Sequence, residues 1–156
     1  MRLRFSLFIF IIIIAYSCNV SSKTTEKAQV PAVRGIQFIE EDWNLALKKA
    51  QSQNKLVFVD IYATWCGPCK MIKQYTFTDS AVGDFFNKNF INVSIDGEKG
   101  IGPQLAQQFS IDAYPTLIVT DATGKPVLVT VGYLPADYLL EFANEAVKRN
   151  QQQTKL

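Results

Sequence analysis

The sequence predicts one α/β domain in which a mixed β-sheet carries helices on both of its faces. Segments with strand-like and helical patterns follow one another in the order β-α-β-α-β-α-β-β-α. The segment 55–63 is an almost continuous apolar run, which is typical of a central strand covered on both faces. Two further apolar segments are separated only by the turn 121–125, and this spacing predicts an antiparallel hairpin.

Length and composition agree with a single folded unit. The chain has 156 residues, of which 48% are apolar, so it can form one sizeable core but hardly two. We expect four parts: a signal peptide at 1–17, a lipidated cysteine and flexible tether at 18–34, the folded domain at 35–150 and a disordered tail at 151–156.

The N-terminal segment has the composition of an export signal. Arg2 and Arg4 precede the apolar run 7–15, which is too short to span a bilayer because a spanning helix needs about 20 apolar residues. The run 15–18, Ala-Tyr-Ser-Cys, resembles a bacterial lipobox, in which Cys18 would be lipidated and become the mature N-terminus. An ordinary signal peptide with an incidental cysteine is the alternative. The polar segment that follows is predicted to hold the domain close to a membrane surface.

The first elements of the domain are a short strand at 36–39 and a helix that begins after the acidic run 40–42. The apolar positions of this helix are Trp43, Leu45, Leu47 and Ala50. The buried strand 55–63 follows. A second helix begins in the turn 66–69, where Pro68 suits the first helical turn because its missing N–H costs nothing there. The core-facing positions predicted for this helix are Met71, Ile72 and Tyr75.

The run 78–80, Thr-Asp-Ser, interrupts that helix and can cap a second helical piece. The apolar side chains of this piece are Val82, Phe85 and Phe86. A strand at 90–95 follows, and then a loop at 100–109 that leads into a short helix. The strands of the hairpin are predicted at 116–120 and 127–131. The last helix is expected at about 135–149, with an apolar face formed by Tyr138, Leu139, Phe142, Ala143 and Val147.

Charge and composition exclude several classes of function. The chain has 16 basic and 14 acidic residues, and removal of Arg2 and Arg4 with the signal would leave equal numbers. The sequence shows no basic stripe of the kind that binds nucleic acid, so no nucleic-acid partner is expected. It contains no histidine, which excludes imidazole metal ligands and a histidine general base. The chemistry must therefore come from cysteine, carboxylate, tyrosine and the backbone.

Two cysteines lie where the buried strand passes into the second helix, in the run 65–70, Trp-Cys-Gly-Pro-Cys-Lys. A thiolate at a helix N-terminus meets unpaired backbone N–H groups and the positive end of the helix dipole. Cys66 should therefore ionise more readily than a free cysteine. Cys69 lies one helical turn further along and is close enough to form a disulfide with Cys66.

With these residues the chain resembles the thioredoxin-fold family over about Phe38 to Val147. Three separate features carry the resemblance: the run 65–70 after an apolar strand, Tyr-Pro-Thr at 114–116 before a strand, and Val-Gly-Tyr at 131–133 before the final helix. The implied fold is the thioredoxin fold, a central mixed β-sheet flanked by helices on both faces. Within the family, the segment 74–79, Gln-Tyr-Thr-Phe-Thr-Asp, is similar to the C-terminal periplasmic domain of the thiol:disulfide interchange protein DsbD.

The resemblance implies a redox-active disulfide between Cys66 and Cys69. Cys66 would attack a substrate disulfide, because we expect it to be the more exposed thiol and nearer the helix terminus, and Cys69 would resolve the mixed disulfide. Asp60 would be the buried acid that relays a proton for Cys69, with a pKa raised by desolvation. A permanent structural disulfide, and an acid turned towards solvent at a strand end, are the alternatives. Zinc is not expected, because a closed site needs four ligands and only two cysteines remain.

The resemblance also implies a substrate-docking surface around the cysteines. Pro115 is expected to be cis, to lie against the disulfide and to expose backbone for pairing with a bound peptide. Without the resemblance it would be only a proline at the start of a strand. The other residues expected to line this surface are Trp65, Gly67, Pro68, Tyr114 and Gly132. Trp65 and Tyr114 could equally serve only in packing.

Two positions near the expected acid depart from the family pattern. Thioredoxins commonly place a lysine near this acid, and Asn92 aligns with that position. DsbD-type domains carry a second acid one turn past the resolving cysteine, where this chain has Lys73. A lysine near the site would favour thiolates.

The implied function is that of an exported, membrane-tethered thiol:disulfide oxidoreductase that acts on protein disulfides. Gly67-Pro68 is the dipeptide of reducing thioredoxins, so a reductase or electron shuttle is expected. A disulfide oxidase or isomerase and a non-catalytic peptide-binding or chaperone lipoprotein are the alternatives. Because the chain has one long apolar run and no membrane-embedded relay, its reductant is expected to be a membrane donor of the DsbD type. We expect a monomer without cofactor or metal, facing the periplasm on a lipid anchor in a bacterial membrane.

Overall fold

A computed structural model describes residues 34–153 of the chain. Its strands are β1 (Phe38–Glu40), β2 (Leu56–Tyr62), β3 (Phe90–Asp96), β4 (Thr116–Thr120) and β5 (Pro126–Val131). Its helices are α1 (Trp43–Gln53), α2 (Gly67–Met71), α3 (Ser80–Asn89), α4 (Gly102–Gln108) and α5 (Ala136–Gln153), and a π-helical segment (Ile72–Thr76) continues α2. The predicted signal peptide, Cys18 and the predicted tether up to residue 33 lie outside the described residues.

The strands form one mixed sheet in the order β1-β3-β2-β4-β5. β1, β3 and β2 run parallel, whereas β4 pairs antiparallel with both β2 and β5. The prediction of a mixed sheet with a C-terminal hairpin is therefore confirmed. All residues of β2 except the last are buried, as expected for an apolar strand covered on both faces.

The sheet has a hydrophobic core on each face. Alternate residues of a strand point to opposite sides, so Phe58 packs into one cluster and Val57 into the other. The Phe58 side includes Phe86 of α3, and the opposite side includes Trp43 of α1 and Leu105 of α4. Complete burial of a side chain such as Phe86 stabilises the fold by about 1.5–3 kcal/mol relative to leaving it exposed. Helices on both faces are thus confirmed.

Two helices begin at aspartate caps. Asp79 lies within the run predicted to cap a helix, and its Oδ1 accepts a hydrogen bond from the Val82 N–H at 3.0 Å at the start of α3. Asp42 caps α1 in the same way, accepting from the Leu45 N–H at 2.9 Å. Each carboxylate satisfies an N–H that would otherwise lack a partner in the first helical turn.

The apolar faces predicted for α1 and α5 are partly wrong. Leu45 is 38% exposed and Tyr138 is 62% exposed, whereas their neighbours Ala46 and Leu139 are fully buried. The buried residues of α1 are Trp43, Ala46 and Ala50. A pattern drawn through the largest apolar side chains misses a stripe that is built partly from alanine, and this is the reason for the error.

The prediction that Met71 and Tyr75 face the core is also wrong, since they are 46% and 60% exposed. The helix that starts as α2 widens at Ile72, where the Phe77 N–H donates to the Ile72 carbonyl at 2.9 Å. The buried positions along α2 and this segment are Cys69, Ile72, Thr76 and Phe77, whereas the prediction assigned the neighbouring apolar residues Met71 and Tyr75 to the core.

The final helix is longer than predicted. α5 continues to Gln153, past the expected end near Arg149 and into the segment expected to be disordered. The run 150–153, Asn-Gln-Gln-Gln, contains neither glycine nor proline and so has no signal that ends a helix. In the part of the chain that the structure describes, neither α5 nor any other helix is long and apolar enough to cross a membrane.

Candidate active site

The cysteine pair lies at the junction of β2 and α2. Cys66 is the N-cap of α2, and its Sγ accepts a hydrogen bond from the Cys69 N–H at 3.1 Å. The turn is closed by the Cys66 N–H, which donates to the Ala63 carbonyl at 3.1 Å. Pro68 lies in the first turn of α2, where its missing N–H leaves no unpaired donor. The two Sγ atoms are bonded at 2.07 Å, so the expected disulfide is present.

The two sulfurs differ in position rather than in exposure. Cys66 is 2% exposed and Cys69 is 1% exposed, so the expected difference in exposure is not found in the disulfide form. Tyr62 and Tyr114 pack against the small buried cluster that the two cysteines form with Ala63. The helix is what distinguishes the cysteines, because an N–H of its first turn points at Cys66 Sγ and would stabilise a thiolate there. The prediction that Cys66 attacks depends on this placement.

Asp60 lies in the middle of the sheet, on β2. Its side chain is fully buried, so the alternative of an acid turned towards solvent is wrong. Burial raises the pKa of Asp60 to about 6, against the opposing effects of the Lys73 ammonium and the Ser94 hydroxyl, which both favour the carboxylate. A carboxyl with this pKa can take up and release a proton close to neutral pH.

Asp60 is held by groups from two different elements. Ser94, its register partner on β3, donates from Oγ to Asp60 Oδ2 at 2.9 Å. Lys73, in the π-helical segment, places Nζ 3.7 Å from the same oxygen and 3.2 Å from Ser94 Oγ. The acid is therefore not isolated, although it is buried among apolar strands.

Asn92 takes no part in this group. In the register of β2 and β3 it lies beside Phe58 rather than beside the acid, and its Nδ2 donates to the Gln37 carbonyl at 3.3 Å. The lysine next to the acid comes from the helical side of the site instead, at Lys73. Its ammonium lies against Asp60, so its charge acts on the carboxyl.

The Tyr114–Pro115 peptide bond is cis, as predicted. The Pro115 carbonyl accepts a hydrogen bond from the Gly132 N–H at 2.8 Å, and proline has no N–H to offer. The expectation that Pro115 exposes backbone for a bound peptide is therefore not met. Gly132 has a φ of 96°, a conformation that favours glycine. Within residues 34–153 the backbone of Tyr114 forms no turn or loop hydrogen bond. Of the two residues joined by the cis peptide bond, Tyr114 is therefore the one that retains free backbone groups.

Trp65 forms an exposed aromatic wall beside the cysteines. It is 67% exposed, yet its Nε1–H lies 3.0 Å from both carboxylate oxygens of Glu98. Its ring meets that of Tyr114 edge to face, with centroids 6.0 Å apart. Gly97 allows this arrangement, because a β-carbon at that position would lie 2.6 Å from the Tyr114 hydroxyl. The indole is thus fixed at its polar edge while most of its surface stays exposed.

Gly67 and Pro68 are exposed between the two cysteines. Nothing lies within 4 Å of the position that a Gly67 β-carbon would take. Gly67 therefore has open space beside it, between the two cysteines in the chain. The structure therefore places the predicted docking residues Trp65, Gly67 and Pro68 in the same turn as the cysteines.

Sequence reasoning missed Glu98, Ser94 and Glu41. Glu98 could have been found, since β2 and β3 are parallel and the segments that follow them meet at one edge of the sheet. Ser94 required the register of the two strands. Glu41, at a φ of 59°, accepts hydrogen bonds from the Tyr62 hydroxyl at 3.1 Å and from the Asp96 N–H at 2.9 Å. No pattern in the sequence indicates that role.

The site combines a disulfide, a helix N-terminus and a buried carboxyl that titrates near neutral pH. The disulfide at a helix N-terminus supports thiol–disulfide exchange, because one sulfur can be stabilised there as a thiolate. Over residues 34–153, no group of three or more cysteine, aspartate or glutamate side chains is arranged to hold a metal ion.

Comparison with known proteins shows which family this chain is similar to. The thioredoxin-like domain family matches residues 43–146. The thiol:disulfide interchange protein DsbD of Actinobacillus pleuropneumoniae is 29% identical over 125 residues, which cover 78% of this chain but only 21% of that protein. A thioredoxin of Staphylococcus saprophyticus is 38% identical over 90 residues, covering 57% of this chain and 80% of the thioredoxin.

A solved structure is also similar over most of its length. It is the solution structure of a protein from Bacteroides thetaiotaomicron that is provisionally described as a disulphide-isomerase. The two proteins are 42% identical with a TM-score of 0.66, and the similarity covers 74% of this chain and 95% of the other.

Proposed function

Because this chain belongs to the thioredoxin-like domain family and carries its cysteine pair, it is a thiol:disulfide oxidoreductase, and we propose that it is exported, tethered to a membrane and reduces the disulfides of other proteins. The observation that carries the reducing role is the Cys66–Cys69 disulfide, which closes over Gly67-Pro68 at a helix N-terminus. Asp60 is proposed to be the proton acceptor of the cycle, and the burial that raises its pKa to about 6 supports this role.

The proposed cycle begins with the reduced pair. The Cys66 thiolate attacks one sulfur of a substrate disulfide, and the other substrate sulfur leaves as a thiolate that takes a proton from water. Asp60 then accepts the proton of the Cys69 thiol, and the Cys69 sulfur attacks Cys66 Sγ. The substrate sulfur that was bonded to Cys66 in the mixed disulfide leaves with its electron pair as the disulfide between Cys66 and Cys69 forms. The substrate gains two electrons and the pair loses two, so a donor must reduce the pair before the next cycle.

The substrate is proposed to dock across the turn that holds the cysteines. Gly67 lets a backbone approach, the exposed surface of Trp65 offers an apolar contact, and Tyr114 retains backbone groups for pairing. These features suit an extended segment of a protein with an apolar side chain near its cysteine.

Electron direction can be tested by equilibrating the pair with glutathione. Thioredoxin has a potential of about −270 mV, and strong oxidants of the same fold lie near −120 mV. We expect a value close to the former, because the Gly-Pro dipeptide between the cysteines is that of reducing thioredoxins. A value close to the latter would contradict the reductase proposal.

Insulin reduction and disulfide trapping test the roles of the two cysteines. Wild type should reduce insulin, and Cys66→Ser should abolish this activity. Cys69→Ser should accumulate mixed disulfides with partner proteins, whereas Cys66→Ser should accumulate none. Exchange of these two trapping patterns would show that the roles are reversed. Insulin reduction that survives Cys66→Ser would contradict the mechanism, and a purely peptide-binding or structural protein would show no cysteine-dependent turnover at all.

The tether is proposed to start at a lipidated Cys18, which would keep the domain near a membrane donor of the DsbD type. The support is the order of charged, apolar and small residues that ends at Cys18. Wild type should fractionate with membranes of the producing cells, and Cys18→Ala should abolish incorporation of labelled fatty acid. Equal labelling of the two proteins would contradict lipidation at Cys18.

A disulfide isomerase is the second candidate. It is favoured by the 42% identity with the Bacteroides protein described as a disulphide-isomerase. An isomerase would restore activity to scrambled ribonuclease without net consumption of reductant. A reductase would instead consume reductant and leave the ribonuclease reduced. The assay therefore separates the two candidates directly.

A further inference from the structure

The two oxygens of the Asp60 carboxyl have different surroundings. Oδ2 accepts a hydrogen bond from Ser94 Oγ at 2.9 Å and lies 3.7 Å from Lys73 Nζ. Oδ1 is buried and has no hydrogen-bond partner among the described residues. A buried oxygen without a partner is uncommon, and a catalytic role is one explanation for it. The carboxyl is thus held through one oxygen while the other remains available.

Lys73 is fixed in place from two further sides. Its Nζ donates to Ser94 Oγ at 3.2 Å and lies 3.2 Å from the centroid of the Tyr62 ring, within the range of a cation–π interaction. The Tyr62 ring is itself oriented by its hydroxyl, which donates to Glu41 Oε1 at 3.1 Å. The long lysine side chain is therefore held in one position relative to Asp60.

A groove leaves the Lys73 side chain partly exposed beside the buried acid. The groove has a volume of about 210 Å³ and is lined by Lys73 and Ser94 together with Arg34, Ile36, Phe38, Glu40, Phe77 and Thr78. The Lys73 side chain remains 37% exposed, so its ammonium keeps part of its hydration and avoids most of the cost of burying a charge. Asp60, with no exposure, is the only fully buried member of the pair.

Few other charged groups act on Asp60. β1 contributes Glu40, whose negative charge opposes ionisation, and β3 contributes the neutral Ser94. β4 places the apolar Leu117 in register with Asp60. The positive charge that favours the carboxylate is that of Lys73, from the π-helical segment.

We propose that Lys73 is a positioning residue for the exchange reaction: acting with Ser94, it holds Asp60 Oδ2 and keeps the carboxyl ionised, so that Oδ1 receives the proton of Cys69. This inference rests on the proposed cycle, in which Asp60 is the proton acceptor. In the resolving step the S–H bond of Cys69 breaks, its proton moves to Oδ1, and the electron pair on sulfur forms the bond to Cys66.

The ionisation of Asp60 can be measured without turnover. The carboxyl carbon of Asp60 can be titrated by NMR in the oxidised protein. Lys73→Gln should move this titration to higher pH by about one unit or more, because an opposite charge within 4–6 Å shifts a carboxyl pKa by about 1–3 units. Lys73→Arg should restore most of the wild-type value, and Ser94→Ala should raise the titration by a smaller amount. Lys70→Gln is the matched control, since it removes an exposed lysine of α2 and should leave the titration unchanged.

The reaction itself supplies the second readout. When the reduced protein reacts with Ellman's reagent, Cys66 releases one thionitrobenzoate and resolution by Cys69 releases the second. The rate of the second release should fall as the pH is lowered through the pKa of Asp60. In Lys73→Gln this fall should occur at higher pH, by the same number of pH units as the NMR titration, and in Lys73→Arg it should occur close to the wild-type pH. An unchanged NMR titration in Lys73→Gln would overturn the proposal, and so would a shifted titration with an unchanged rate profile. If both shifts are found but wild type does not reduce insulin, the reductase proposal fails and the role of Lys73 stands.

Discussion

Replacing the buried acid tests the electrostatics of the site through the stability of the fold. In the oxidised protein, Asp60→Asn substitutes an amide of similar shape that does not titrate. Burial raises the pKa of Asp60 from an ordinary value of 3.8 to about 6. The folded state therefore binds the proton more tightly than the unfolded state. The stability contributed by the protonated carboxyl is fully present below about pH 3.8 and is lost as the pH rises through about 6.

The magnitude follows from the size of the shift. About two pKa units at 1.36 kcal/mol each correspond to about 3 kcal/mol once the carboxyl is ionised in both states. The free energy of unfolding of Asp60→Asn, relative to wild type, should therefore rise by about 2–3 kcal/mol between pH 4 and pH 8. With a urea dependence of about 1–3 kcal/mol per molar, this corresponds to a relative change in midpoint of about 0.7–3 M.

Urea denaturation followed by tryptophan fluorescence at pH 4, 6 and 8 measures this difference. Asp84→Asn, which neutralises an exposed carboxylate of α3, is the control, and its effect should stay within about 0.5 kcal/mol at each pH. A difference between Asp60→Asn and wild type that does not change with pH would refute the reasoning. A difference of the opposite sign would show that the attraction of Lys73 outweighs the burial of the acid.

Three further predictions concern other parts of the domain. Phe86→Ala removes a fully buried ring that packs 4.7 Å from the ring of Phe58, and urea denaturation should show a loss of about 3–5 kcal/mol. Glu98→Ala frees the Trp65 indole, so the KM for insulin should rise while the melting temperature stays near that of wild type; Glu98→Gln, which keeps an acceptor, should retain most of the affinity. Thr76→Val removes the donor to the Leu134 carbonyl, a hydrogen bond of 2.7 Å, and should lower the free energy of unfolding by about 1–2 kcal/mol.

Much of the fold could be predicted because its signals are local. The apolar run 55–63 becomes the central strand β2, the turn 121–125 joins an antiparallel hairpin, and Asp79 caps a helix where a cap was expected. Each of these features depends on residues within a few positions of one another. The errors at Met71 and Tyr75 arose because large apolar side chains were assigned to the core, whereas the buried positions of this helix are Cys69, Ile72 and Thr76.

The active site was predictable in part for the same reason. Cys66, Cys69 and Pro68 occupy one turn, so their placement at the start of α2 follows from the sequence order of strand, turn and helix. Glu98 lies 33 positions from Trp65 in the sequence, and its contact depends on two parallel strands ending at the same edge of the sheet. Such a contact requires the strand order before it can be proposed.

The resemblance of the sequence motifs to a known family implied the thioredoxin fold. The residues by themselves determined a mixed sheet with helices on both faces, the position of the cysteine pair and the presence of an acid in a strand predicted to be buried. These properties follow from apolar periodicity, from the residues that start and end helices, and from chemistry contained in one short run. Only the tertiary structure decided that Lys73 and Ser94 hold Asp60, that Asn92 does not, and that the Pro115 carbonyl is already bonded to Gly132. The physical reason is that electrostatic and hydrogen-bond energies depend on distances between groups far apart in the chain. Those distances are fixed by strand register and helix geometry.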